Sequence, residues 1–186
     1  LSAVSPATLR AAARTFDAST PLTSFVLEMT YSASAEKIGG AIADSVKPRY
    51  NGPASDVDVL ESLIAEGYDF TSQTDSELIA HLLDFFINKG NSMIEAMYLA
   101  KEKLDGAYAI AAIDLKDNSN LVVARNKSPL LIGLGTDEMF AASDPLAIAQ
   151  LTNDFIFLED GDVASISAEE YKIYDSSKEE VTRDVT

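Results

Sequence analysis

No cysteine occurs in this chain of 186 residues, no tryptophan either, and histidine occurs once, at His81. Without cysteine there can be no disulfide, no thiolate metal site and no cysteine nucleophile. A single histidine excludes the two- and three-histidine zinc sites. Positive charge is scarce: 14 Lys and Arg stand against 30 Asp and Glu, for a formal net charge of −16. So acidic a surface repels phosphate backbones and anionic headgroups, which sets aside nucleic acid and membranes as partners. No apolar run approaches the ~20 residues of a membrane-spanning helix. With the missing cysteine, this points to the cytoplasm. What is present, 47% hydrophobic and 24% charged residues, describes an ordered globular chain. Its length suits one domain, or one domain with an appendage.

The charge is unevenly spread. Residues 1–50 carry five basic and four acidic side chains, whereas residues 51–186 carry nine and 26. Ala, Ser and Thr fill 22 of the first 50 positions, so composition changes with charge. The turn-forming Lys47-Pro-Arg-Tyr-Asn-Gly52 marks the boundary and divides the chain into an N-terminal segment, 1–50, and a body, 51–186.

Within the first segment, Ser5-Pro6 opens a predicted Ala-rich helix through Phe16. Period-two alternation of Phe25, Leu27, Met29 and Tyr31 predicts a strand, and Ser34 to Val46 a second helix weakened by Gly39-Gly40. Residues 1–16, with two Arg and no acid, also have a transit-peptide composition, against which the following strand argues. In the body, Asp56 or Asp58 caps a helix ending at Gly67. Thr74-Asp75-Ser76-Glu77 opens another, with Leu78, Ile79, Leu82, Leu83 and Phe86 on one face, and Ser92 to Leu104 forms a third. From Ala107 the pattern turns to strands: 107–113, 120–125, 130–134, 139–142, 155–158, 163–166 and 171–174, with a helical turn or two at Pro145 to Leu151. Helices followed by a run of strands predict an α+β fold with mainly antiparallel sheets.

Several strings go further. Gly67-Tyr-Asp-Phe-Thr-Ser-Gln-Thr-Asp75-Ser-Glu77-Leu-Ile-Ala-His81-Leu resembles the glutaminase domain of glutamine–fructose-6-phosphate aminotransferase (isomerising), a class II glutamine amidotransferase. Gly106-Ala-Tyr-Ala-Ile with Asp114, Ala124-Arg125, Ser128-Pro-Leu-Leu-Ile-Gly-Leu-Gly135, Phe140-Ala-Ala-Ser-Asp144-Pro and Phe155-Ile-Phe-Leu-Glu-Asp-Gly-Asp-Val-Ala164 follow in the same order. The resemblance covers about residues 51–186. It implies a four-layer αββα sandwich of two mainly antiparallel sheets, the N-terminal-nucleophile hydrolase fold. It also implies hydrolysis of the glutamine amide by an N-terminal cysteine whose own amine is the base, with no cofactor. The ammonia then passes to a sugar-isomerase domain or subunit that aminates fructose 6-phosphate.

Against that pattern, residue 1 is Leu, and the family's Cys-Gly-Ile-Val-Gly and Arg-Trp-Ala-Thr-His-Gly segments are absent, as is the sugar-isomerase part. No catalytic nucleophile is therefore assigned, and this chain alone is not expected to hydrolyse glutamine; Ser2 and Thr8 do not sit at position 1 beside the amine. Two elements of the site are carried over by the resemblance. Asp75 matches the aspartate that receives the glutamine α-ammonium, beside the plainer reading of an acid satisfying helix N–H groups. Asn51 and Gly52 match the Asn-Gly of the oxyanion hole, although Asn-Gly is also a common turn. If the family's first strand is missing, sheet edges would be exposed, and residues 25–31 are the candidate replacement; residues 1–50 are then expected to pack on the body.

The other conspicuous residues read as structural. His81 is a packed or capping histidine, Arg125 a partner for an acid near the strands, Asp160-Gly161-Asp162 a turn without metal, and Gly133-Leu-Gly135 not a phosphate loop, since no helix follows it. Glu169-Glu170 and Glu179-Glu180 form a solvated face. Two functional classes remain: a glutaminase portion of a hexosamine-forming enzyme, or a non-catalytic module that binds an amino acid or partner subunit. A homodimer stays open.

Overall fold

The computed structural model describes residues 25–28, 56–70, 74–114, 116 and 119–186. The helices expected within residues 5–16 and 34–46, and the Asn51-Gly52 turn, lie outside the described residues. The chain divides into two compact units, residues 32–107, and residues 1–31 together with 108–186.

The first unit is helical. Helix α1 spans Val57–Ala65, α2 Asp75–Asn88 and α3 Met93–Lys101. α2 contacts both α1 and α3. The apolar residues recur at helical spacing and are buried: Leu60 and Leu63 on α1, Leu78, Ile79, Leu82 and Leu83 on α2, Ala96, Met97 and Ala100 on α3. Gly67 follows α1 at φ +96°, a left-handed position that glycine adopts without steric cost, and Tyr68 N–H closes the turn on Leu63 O at 3.0 Å. Ser92 opens α3 with a capping box: its Oγ accepts Glu95 N–H, and its own N–H donates to Glu95 Oε2 at 2.8 Å. α3 stops three residues short of the predicted Leu104. There the Ala100 carbonyl accepts from both Lys103 and Leu104 N–H, which tightens and closes the last turn.

The second unit holds two antiparallel sheets. Strands β1 (Phe25–Glu28), β2 (Tyr108–Ile113), β3 (Leu121–Asn126), β7 (Val163–Ile166), β8 (Tyr171–Tyr174) and β9 (Glu180–Val181) form one sheet in the order β1-β2-β3-β7-β8-β9. Strands β4 (Leu131–Leu134), β5 (Met139–Ala142) and β6 (Phe155–Phe157) form the other, with β4 central. Period-two alternation sends Ala109, Ala111, Val123, Ala164, Ile166 and Ile173 of the large sheet, and Ile132, Ala141 and Ile156 of the small one with the flanking Leu130 and Leu158, into a single core. The outer face of the small sheet carries Leu131 and Ala142, packed with Ile148 from the turn that begins at Pro145. Tyr108, Ile110, Ala112, Val122 and Ala124, on the opposite face of β2 and β3, are buried as well. Strand β2 is thus buried on both faces from Tyr108 to Ala112. β9 is an edge strand that the sequence pattern did not announce: two residues are too few to show a period.

Candidate functional site

Asp75 is the first residue of α2, after Thr74, whose extended backbone (φ −95°, ψ 145°) places it at the N-cap position. The Asp75 carboxylate is half-buried, and its Oδ1 accepts Ser76 N–H at 2.9 Å. Glu77 adds a second acid to the first turn. Two negative charges therefore stand at the positive end of the helix dipole, a local arrangement that stabilises the helix whatever else it does. The geometry includes the plainer role weighed for Asp75, since one carboxylate oxygen serves a first-turn N–H. A carboxylate can accept about four hydrogen bonds, so this use leaves acceptor capacity at the helix mouth.

The segment ahead of that mouth lies against the same helix. Tyr68 Oη donates to Asp84 Oδ2 at 2.8 Å, and Asn88 Nδ2 donates to the same oxygen at 2.8 Å. Burial, and secondarily the hydrogen bond to Asp84, push the Tyr68 hydroxyl above its ordinary pKa. His81, one turn below, meets two rings: Tyr68 at 5.0 Å between centroids and Phe70 at 4.8 Å, the latter edge-on. Its Nε2 lies 3.8 Å from Glu77 Oε1, beyond hydrogen-bonding reach, and is buried without a hydrogen-bond partner among the described residues. His81 is thus a packed aromatic, as its place on an apolar helix suggested.

A second polar cluster lies at the end of β6. Asp162, 1% exposed, accepts Arg183 Nε–H at Oδ2 (3.0 Å) and Nη2–H at Oδ1 (2.9 Å), and Oδ2 also accepts Glu159 N–H at 2.8 Å. Arg183 reaches Glu159 as well, at 3.1 Å. Arg125 pairs with Asp160 at 3.2 Å and donates to the Leu158 carbonyl, and Asp160 Oδ1 accepts Lys127 N–H at 2.9 Å. Every acid of the turn is thereby matched to a cation or a backbone donor, and among the described residues no group of acids and histidine could hold a metal ion. The turn reading of Asp160-Gly161-Asp162 and the ion-pair reading of Arg125 agree with this geometry. Arg183 was missed, because its partner lies 21 residues away and no local pattern links them. Gly133 and Gly135 lie in and just after β4, which runs into a hairpin with β5, so no phosphate loop forms there.

The described elements are three helices followed by antiparallel sheets, with Thr74-Asp75 at the mouth of α2. Residues 45–150 match the family model of the glutamine amidotransferase domain, and the chain belongs to that family. The glutamine–fructose-6-phosphate aminotransferase (isomerising) of Vibrio vulnificus is 42% identical over 137 residues, which are 73% of this chain and 22% of the relative. The corresponding protein of Idiomarina loihiensis is 47% identical over 125 residues, 67% of this chain and 20% of the relative. The chain spans about a fifth of the length of the curated relatives it matches. Among solved structures, glutamine phosphoribosylpyrophosphate amidotransferase from B. subtilis, complexed with ADP and GMP, matches with a TM-score of 0.56 at 22% identity, over 68% of this chain and 28% of that one. The likeness is one of fold. Among the described residues no helix is long and apolar enough to cross a membrane.

Proposed function

We propose that this chain is the glutaminase-type part of a glucosamine 6-phosphate-forming aminotransferase, and that it holds L-glutamine through the α-ammonium at Asp75. The observation that carries this reading is the 42% identity over 137 residues to a relative of that name. The local geometry supports it. An ammonium at the N-terminus of α2 would meet the positive end of the helix dipole, so it needs a full negative charge there, and Asp75 supplies one. One Asp75 oxygen is engaged by Ser76 N–H, and the remaining acceptor sites are the proposed seat of the ammonium. Asn51 and Gly52 are the proposed oxyanion-hole pair.

The nucleophile is not among these 186 residues, which contain no cysteine. The expected behaviour of this chain is therefore glutamine binding without ammonia release. Asp75→Asn, which keeps the shape and removes the charge, should weaken L-glutamine binding by about 10- to 100-fold, the range for losing a charged hydrogen-bond partner. Calorimetric titration checks this, and equal affinity of wild type and variant would overturn the assignment. Ammonia release above a protein-free control would show that a non-cysteine nucleophile operates.

A second reading is a non-catalytic module that binds an amino acid or a partner subunit. Supplying a cysteine-initiated N-terminal segment separates the two: restored ammonia release supports the enzyme portion, and its absence supports the module. In the first reading the ammonia goes to a sugar-isomerase domain or subunit in the cytoplasm. Copurification of such a partner with the tagged chain, and sedimentation for a homodimer, test that assembly.

A further inference from the structure

We propose that His81 is a positioning residue for Asp75: in ring contact with Tyr68 and Phe70, it straps residues 68–70 along α2 and so sets the approach of the chain to the helix mouth. The inference rests on the reading that Asp75 receives the glutamine α-ammonium.

The segment 68–70 runs back along the helix it precedes. Tyr68 is tied to Asp84, roughly 14 Å along the axis from Asp75 at 1.5 Å per residue, and both Tyr68 and Phe70 meet His81, roughly 9 Å from Asp75. The two contacts are spaced one turn apart and descend toward the helix N-terminus in chain order. Only three residues separate Phe70 from Thr74. A chain of that length can span no more than about 14 Å, so fixing Phe70 on the helix limits where Thr74 enters it. Side chains on a helix lean toward its N-terminus, and His81 Nε2 accordingly lies 3.8 Å from Glu77 Oε1, in the turn that carries Asp75.

Thr74 lends no side-chain hydrogen bond to the helix N–H groups. In this Thr74 differs from Ser92, whose side chain caps α3. The ring of His81, rather than its charge, is what the geometry uses: Phe70 meets it edge-on, and its buried Nε2 has no hydrogen-bond partner among the described residues.

The test uses the 186-residue chain with His81→Ala, which removes the ring, and His81→Phe, which keeps a ring without the nitrogens. Amide exchange at Thr74, Asp75 and Ser76 is read without ligand, and L-glutamine affinity by calorimetry. His81→Ala should speed exchange at these amides and weaken glutamine binding by about tenfold, the worth of two aromatic contacts, while His81→Phe restores both to within about twofold. Unchanged exchange at 74–76 in His81→Ala, or unchanged affinity, would overturn the proposal. Loss of both in the two variants alike would assign His81 a different role, through its nitrogens, and overturn the strap. Asp75→Asn in parallel separates the two levels of the argument. Glutamine binding that is absent from wild type, or that persists undiminished in Asp75→Asn, overturns the site reading and the positioning role with it. Binding that needs Asp75 but ignores His81 overturns only the latter.

Discussion

A carboxylate 1% exposed is tolerated at Asp162 because its charge is matched twice, by both arms of Arg183, and capped by Glu159 N–H. Removing the cation would leave a buried charge uncompensated, a loss of about 3–5 kcal/mol for broken buried pairs. Arg183→Ala should therefore lower the thermal midpoint sharply, and Arg183→Lys should recover only part of it, since an ammonium lacks the two-pronged geometry. A midpoint within a degree or so of wild type would show that solvent screens the pair. Tyr108 gives the residue-scale pH effect. Burial pushes its hydroxyl up to about 12, from the ordinary 10.0 of a tyrosine. The folded state then holds this proton after the unfolded chain has lost it, so stability is full below pH about 10 and falls as the pH rises toward 12. Tyr108→Phe should remove part of that alkaline decline, measured as thermal midpoint against pH. At this scale the sequence was legible only where neighbours along the chain decide the outcome. Asp160-Gly-Asp162 announced a turn, but which of its acids is buried depends on Arg183, and no local pattern reports that.

At the scale of elements, most of the secondary structure could be read because period and punctuation agreed. The α2 stripe from Leu78 to Leu83 is buried, and β5, β7 and β8 fall where alternation and turn residues placed them. The β8–β9 hairpin was not read, although Asp175 carries its signal: Oδ1 accepts Ser177 and Glu179 N–H, and Lys178 sits at φ 66°. Glu179-Glu180 stays solvent-exposed, as expected, while Glu180 pairs by its backbone with Tyr174. Gly133 and Gly135 are explained by close approach. A Cβ on Gly133 would stand 2.4 Å from Ile148 Cδ1, and one on Gly135 would stand 2.6 Å from the Glu138 carbonyl that accepts Gly135 N–H. A side-chain tip can yield and a hairpin carbonyl cannot. Gly133→Ala should cost about 1–3 kcal/mol, and Gly135→Ala more. Ile148→Val, which removes the obstructing methyl, should reduce the penalty of Gly133→Ala in a double-mutant cycle, and strictly additive losses would contradict the contact.

At the scale of the whole molecule, the edge of the large sheet is the decisive feature. β1 pairs antiparallel with β2, Phe25 opposite Ile113 through Glu28 opposite Ile110, and so occupies hydrogen-bonding groups that β2 would otherwise present as an open, apolar edge. Our proposal is that residues 1–50 belong to the folded body and do not form a detachable appendage. Limited proteolysis should then fail to release a stable 51–186 fragment, and a chain truncated at residue 51 should aggregate. A soluble, cooperatively melting 51–186 fragment would sink the idea.

The sequence by itself determined the acidic character, the α+β class, the order of helices and strands and the kinship with glutamine amidotransferases. These are properties of composition, of short-range period and of strings long enough to be matched in order. Tertiary structure decided which equivalent-looking residues carry charge into the interior, which glycines are required by a neighbour, and that Tyr68, Phe70 and His81 meet. Those outcomes depend on backbone approach between residues far apart in sequence, where a difference of an ångström changes a contact into a clash and no local pattern carries the information.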